Sequence, residues 1–175
     1  PYMEEKIAVP VNDSIVLSGT LTRPRTRRRV PAVVILSGTG KQDRDASFTG
    51  HRPFARIADY LTRRGVAVLR LDDRGVGEST GRYEEATTAD FASDALRAVE
   101  VLKQHRHIRT SKIGLMGHSA GGAAAMMAAA SSDDVAFVVT LAGLRTGGLT
   151  SLAFRDDGLL DPDPSHSAQS SRTRR

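Results

Sequence analysis

Hydrophobic and polar positions change period several times along this 175-residue chain. Residues 6–11 and 15–21 alternate apolar with polar side chains on either side of Asn12-Asp13-Ser14. Period-two alternation around a cluster of turn residues predicts an antiparallel hairpin at the edge of a sheet. Ala32-Val33-Val34-Ile35-Leu36 is apolar without a break, as a strand covered on both faces requires. Phe54, Ile57, Ala58 and Leu61 then recur at helical spacing until Gly65 stops the helix. Residues 66–71 predict the next buried strand. Thr87-Thr88-Ala89-Asp90 resembles a capping box, and Phe91, Ala95, Ala98, Val99 and Leu102 line one face of the helix it opens. A short strand, a sharp turn and an alanine-methionine helix reaching Ala130 come next, and residues 135–141 predict a last strand.

A hairpin followed by repeated strand–helix units predicts an α/β fold, a mostly parallel sheet with helices on both faces and an N-terminal antiparallel hairpin. In such sheets the functional loops lie at the carboxyl ends of the strands. Four stretches sit there: 38–45, 72–81, 117–121 and 142–148.

One of the four carries recognisable chemistry. Gly117-His118-Ser119-Ala120-Gly121 has the form Gly-x-Ser-x-Gly between strand and helix, the nucleophile-elbow pattern of serine hydrolases. A serine at the tip of so tight a turn presents its hydroxyl outward, and its neighbours must be small for the backbone to bend. Gly117 and Gly121 supply that room. The helix that follows adds free N–H groups and a positive dipole end suited to a developing oxyanion.

Composition narrows the alternatives. Hydrophobic residues make up 39% and charged residues 26%, a soluble globular profile. The length suits one domain. The chain has no cysteine, so disulfides, thiol catalysis and Cys-built zinc sites are excluded. No pair of histidines has metal-ligand spacing with a suitable carboxylate, so neither metal nor other cofactor is expected. The net charge of +5 comes largely from arginine clusters at 23–29 and 172–175, which lack interleaved aromatics and read as a solvated loop and tail rather than a nucleic-acid surface. No run approaches the roughly 18 apolar residues of a membrane span. No signal peptide is visible in a chain that opens at Pro1, which favours a cytoplasmic location. Gly40-Lys41 lacks the flanking residues of a P-loop, and the glycine pairs at 38/40 and 75/77 each miss the third glycine of a dinucleotide fingerprint.

Several blocks together resemble the α/β-hydrolases, and within them the bacterial esterase and prolyl-oligopeptidase-like (serine aminopeptidase-like) group. They are Ser37-Gly38-Thr39-Gly40 with Gln42-Asp43-Arg44-Asp45, Gly50-His51-Arg52-Pro53-Phe54, Asp72-Asp73-Arg74-Gly75-Val76-Gly77, and Gly117-His118-Ser119-Ala120-Gly121-Gly122. The likeness runs from about residue 4 to residue 143. It implies that Ser119 is the nucleophile and that the backbone N–H groups of Ala120 and Thr39 form the oxyanion hole. It gives no catalytic step to Asp72, Asp73 and Arg74, which are expected to hold their loop by local ion pairing. His51 and Asp45 are expected along the cleft.

The chain then departs from the family pattern. A serine needs a base, and the base an orienting acid. In this fold both follow the elbow on later loops. Only 32 residues remain after Gly143, and one strand–helix–strand unit takes about 30 or more. Residues 144–175 are rich in Asp, Pro, Ser and Arg and read as an irregular or disordered tail. The expected organisation is therefore a partial hydrolase domain at 1–143 that lacks the last strands, as a C-terminally truncated hydrolase would. His166 is the one histidine after the elbow and so the candidate base, with Asp156, Asp157, Asp161 and Asp163 as candidate acids. His118 reads as a packed strand-end residue, and His105 and His107 close the long helix where a cation suits the dipole.

Two functions follow. One is hydrolysis of a carboxylic ester or small acyl or peptidyl substrate through an acyl-Ser119 intermediate. The other is a weak or inactive hydrolase-like domain acting as a binding or assembly module, self-associating through an exposed sheet edge.

Overall fold

The structure, a computed structural model, describes residues 2–143. β1 (Tyr2–Pro10) and β2 (Val16–Pro24) form the expected antiparallel hairpin, with Tyr2 opposite Pro24 and Pro10 opposite Val16. Asn12 closes its turn: the side-chain oxygen accepts from the backbone N–H of Ser14 at 3.0 Å and of Ile15 at 2.9 Å. β3 (Val30–Leu36), β4 (Ala67–Leu71), β5 (Ile108–His118) and β6 (Val138–Leu141) complete a six-stranded sheet of order β1-β2-β4-β3-β5-β6. β3 runs parallel to β4 and β5, and β5 parallel to β6. β2 runs antiparallel to β4, which attaches the hairpin to the parallel part.

Helix α1 (Pro53–Arg63) connects β3 to β4 on one side of β3. α2 (Thr88–Gln104) connects β4 to β5 on the other side, and α3 (Ala120–Ala130) connects β5 to β6. Right-handed crossovers in opposite directions put helices on opposite faces. The period-two residues of β3 record it. Val33 and Ile35 pack with Phe54 and Ala58 of α1, while Ala32, Val34 and Leu36 belong to the cluster built on Ala95, Ala98 and Leu102 of α2 and Ala124 and Ala128 of α3. This accounts for the unbroken apolar run.

The helix signals are physical as well. Pro53 sits in the first turn of α1, where its missing N–H costs nothing. Thr87 and Asp90 form a complete capping box on α2, with the Thr87 backbone N–H donating to Asp90 Oδ2 at 2.8 Å and the Asp90 N–H to Thr87 Oγ1 at 3.3 Å. His105 is the C-cap of α2, yet its ring is turned to β1, where Nε2 lies 3.1 Å from Glu5 Oε2. The last two strands differ from expectation in length, β5 being longer than the short strand before the turn and β6 shorter than 135–141. β5 begins at Ile108, paired with Val30 across a register shift, and β6 begins at Val138.

Candidate active site

β3, β4 and β5 are parallel, so the turns after them gather at one end of the sheet. The connections after the adjacent strands β3 and β5 pass to opposite faces of the sheet at that point, which is where open α/β sheets place their sites.

Ser119 ends β5 and opens α3. Its backbone stands at φ 52° and ψ −120°, a conformation side-chain-bearing residues rarely adopt. It occupies the N-cap of α3, a position where serine ordinarily accepts a hydrogen bond from the helix, but it makes no side-chain cap. The turn is fixed by backbone instead. The Ser119 N–H donates to the Leu141 carbonyl at 2.9 Å, and the Gly122 N–H donates to the Ser119 carbonyl at 3.0 Å.

The flanking glycines are steric necessities. A Cβ on Gly117 would lie 2.2 Å from the Gly121 carbonyl oxygen, and one on Gly121 would lie 2.2 Å from the Ser37 carbonyl oxygen. That second approach brings the first turn of α3 onto the end of β3. Gly38 lies against the elbow from the other side, since a Cβ there would meet His118 Nδ1 at 3.1 Å and Ser119 Cβ at 3.2 Å. Gly38 is therefore adjacent to the serine, and Thr39 is the residue that follows it. Ala120, the first residue of α3, follows Ser119 directly, and N–H groups in a first helical turn have no intrahelical acceptor.

The 37–42 turn is held from β4. Ser37 Oγ donates to Asp73 Oδ1 at 2.5 Å, the Gln42 N–H donates to Asp73 Oδ2 at 2.9 Å, and the Asp73 N–H returns to the Gln42 carbonyl at 3.1 Å. The Gly40 N–H donates to the Tyr83 hydroxyl at 2.7 Å. Burial pushes the Asp73 carboxyl up to about 6, with Asp72 and Asp94 adding to the rise and the two donated hydrogen bonds opposing it.

The neighbouring charges do not pair locally, contrary to expectation. Asp72 accepts from the guanidinium of Arg44 at 2.6 and 3.1 Å and from its backbone N–H at 2.8 Å. Against the desolvation that burial imposes, those bonds hold the Asp72 carboxyl below its usual range. Gly77 makes room for it, since a Cβ there would stand 2.4 Å from Asp72 Oδ2. Arg74 reaches α2 and grips Asp94 with two bonds of 2.8 and 2.7 Å, which raise the arginine's already high pKa. Asp73 has no ion pair at all among the described residues. Asp45 is buried and paired with Arg70 of β4 and with Arg52, so it braces the loop to the sheet. His51 is exposed and, among the described residues, pairs only its backbone, with Phe48.

None of the described histidines hydrogen-bonds Ser119. His118 stacks edge-on against Phe54 of α1, with ring centroids 6.2 Å apart, and His105 and His107 lie at the far end of α2. His166 lies outside the described residues, as do Asp156, Asp157, Asp161 and Asp163. Among the described residues no group of three or more His, Cys, Asp or Glu is placed to hold a metal ion, and no helix is long and apolar enough to cross a membrane.

The family model of serine aminopeptidase S33 (Hydrolase_4) matches residues 49–150, more than half of the chain. The chain belongs to this family. Among relatives of this serine aminopeptidase S33 chain is esterase EstD of Thermotoga maritima, 32% identical over 105 residues that make up 60% of this chain and 25% of EstD. The α/β-hydrolase GrgF from Penicillium sp. superposes with a TM-score of 0.68 at 25% identity, covering 89% of this chain and 53% of GrgF. Est1E from Butyrivibrio proteoclasticus, solved with ferulic acid bound, gives 0.60 at 28% identity, covering 74% of this chain and 49% of Est1E. The S33 chain thus spans a quarter of EstD and about half of each of these solved structures.

Sequence reasoning singled out Ser119, Gly117, Gly121, Ala120 and Thr39; the structure packs Gly117 and Gly121 against each other beside Ser119 and Ala120, with Thr39 one residue beyond Gly38. It missed the bridge from Asp73 to Ser37 and Gln42, and the Tyr83 contact to Gly40. The available signal was a second acidic residue directly after a buried strand.

Proposed function

We propose that this chain is a serine hydrolase acting on a carboxylic ester or a small acyl or peptidyl substrate, with Ser119 as nucleophile. Ser119 Oγ would attack the acyl carbonyl carbon while its proton passes to a base. The carbonyl π electrons then move onto oxygen, and the backbone N–H groups of Ala120 and Thr39 would hold that oxyanion. Collapse expels the alcohol or amine and leaves acyl-Ser119, which water hydrolyses. The observation that carries this reading is the strained Ser119 backbone, at φ 52° with the hydroxyl not used to cap the helix. Strain of this kind is kept where it serves a site.

The test is labelling of the full chain by a fluorophosphonate, alongside Ser119→Ala and His166→Ala. Labelling lost in both variants assigns the pair Ser119 and His166. Labelling lost only in Ser119→Ala assigns the base elsewhere. A folded chain that stays unlabelled defeats the reading.

The exposed Phe137 and Val139 favour a second reading, a weak or inactive hydrolase-like domain that binds or assembles. Its assembly route would be self-association along β6, which pairs only with β5 among the described residues and carries the exposed Val139 beside Phe137. Sedimentation of Val139→Lys against the unaltered chain measures it.

A further inference from the structure

Buried carboxylates near a catalytic turn usually stand in ion pairs, as Asp72 does with Arg44 and Asp94 with Arg74. Asp73 differs. Both of its oxygens are spent on one short stretch of chain, Oδ1 on Ser37 Oγ at 2.5 Å and Oδ2 on the Gln42 N–H at 2.9 Å. These two partners bracket residues 38–41. Within the bracket, Gly38 lies against Ser119 and Gly40 is tied to Tyr83. The Ser37 carbonyl meanwhile abuts Gly121, so the stretch is wedged between β4 and the elbow.

We propose that Asp73 is a positioning residue that clamps the 37–42 turn from β4 and so sets the distance between the Thr39 backbone and Ser119. This rests on the serine hydrolase reading for its catalytic consequence, but not for its structural content. An ionised carboxylate accepts from both donors at once, and charge-assisted bonds are the stronger kind. A protonated Asp73 carries a hydrogen on one oxygen, so one of the two bonds must weaken or reverse. Ser37 is able to reverse, because a hydroxyl also accepts. The Gln42 N–H only donates.

The clamp is therefore sensitive to pH close to neutrality, because burial raises the Asp73 carboxyl to about 6. The groups facing it are accounted for. Asp72 beside it is paired with Arg44, and Asp94 of α2 with Arg74, and both carboxylates add to the rise. Lys41, inside the bracket, pairs with Glu84 at 2.6 Å. His118, at the end of β5, packs on Phe54.

Two measurements on the full chain test this, and they fail separately. The first follows backbone amide resonances against pH. The Gln42 and Thr39 amides are expected to titrate together with a midpoint near 6. The titration should vanish in Asp73→Asn and move upward in Ser37→Ala, which removes a bond favouring the ionised form. A Gln42 amide that stays flat in the unaltered chain, or titrates identically in Asp73→Asn, overturns the clamp. The second is the rate of fluorophosphonate labelling at Ser119 across the same pH range. Asp73→Asn should slow the maximal rate by up to about a hundredfold, with probe affinity unchanged, as misplacement of an oxyanion donor requires. Equal rates at every pH in labelled, folded protein overturn the positioning role. If Ser119 is never labelled, the hydrolase reading fails while the amide titration still decides the clamp. Asp73→Asn is near-isosteric, and Ser37→Ala probes the same bond from its other end should the first variant not fold.

Discussion

A Cβ placed on Gly117 would stand 2.2 Å from the carbonyl oxygen of Gly121. The strand and helix of the elbow therefore touch backbone to backbone. Gly117→Ala and Gly121→Ala are expected to cost about 1–3 kcal/mol or more through overpacking, since the opposing atoms are carbonyls with no freedom to move. Gly122→Ala is the control. Its Cβ would meet Thr140 Cγ2 at 3.4 Å, ordinary contact, and alanine is worth up to about 1 kcal/mol over glycine within a helix. Urea unfolding should show the first two variants destabilised and the third neutral or better. Equal effects at all three positions would remove the steric account of the motif.

Arg74 and Asp94 join the loop after β4 to α2 by a buried two-bonded pair. Removing one partner strands a charge in the interior, so Arg74→Ala or Asp94→Ala should each cost about 3–5 kcal/mol. The double change Arg74→Met with Asp94→Leu should cost clearly less than the sum, because no charge is left unpaired. A double-mutant cycle by chemical denaturation reads the difference.

These pairs also mark where the sequence stopped being legible. The hairpin, the capping box at Thr87 and Asp90, and the Ser119 elbow were readable because each is a local signal, written within a few residues. The unbroken run of β3 likewise announced a strand covered on both faces. The placement of β2 beside β4 was not readable, because an edge hairpin carries no mark of which strand it will join. The partners of Asp72, Asp73 and Arg74 were missed for a related reason. Acid and base stand side by side in Asp73-Arg74, which suggests a local pair. In the fold each side chain is aimed at a different element, Arg44 on one side, Ser37 on another and α2 on a third. Arg70, in the middle of the apolar strand β4, was the clue that Asp45 had a buried partner.

Asp73 gives stability a pH dependence opposite to that of Asp72, and in the same sense as Asp94, whose carboxyl burial also raises. Its folded pKa is raised from 3.8 to about 6, so between those values the native state binds more protons than the unfolded chain. Its contribution is fully favourable below about 3.8 and is lost as pH rises towards 6, a change on the order of 2–3 kcal/mol. Asp72, held low by Arg44, acts in the other sense and only as pH falls below the ordinary carboxylate range. The two windows do not overlap. Unfolding free energy measured across the Asp73 window should decline in the unaltered chain and decline less steeply in Asp73→Asn, where Asp94 still contributes. An unchanged decline in the variant would assign the slope to another group.

Ser119 holds a side chain where the backbone favours none, at φ 52° and ψ −120°. Such conformations store about 1–3 kcal/mol in a residue with a Cβ, and glycine relieves them at a smaller cost in unfolded-state entropy. Ser119→Gly should therefore stabilise the protein by about 1 kcal/mol, whereas Ser119→Ala keeps the Cβ and should leave stability near that of the unaltered chain. Both variants delete the hydroxyl and both should lose fluorophosphonate labelling. The comparison separates strain from chemistry: thermal unfolding responds to the Cβ, and labelling responds to the oxygen. A Ser119→Gly protein no more stable than Ser119→Ala would mean that the turn is relaxed as it stands. The backbone strain would then carry no argument for Ser119 as a nucleophile.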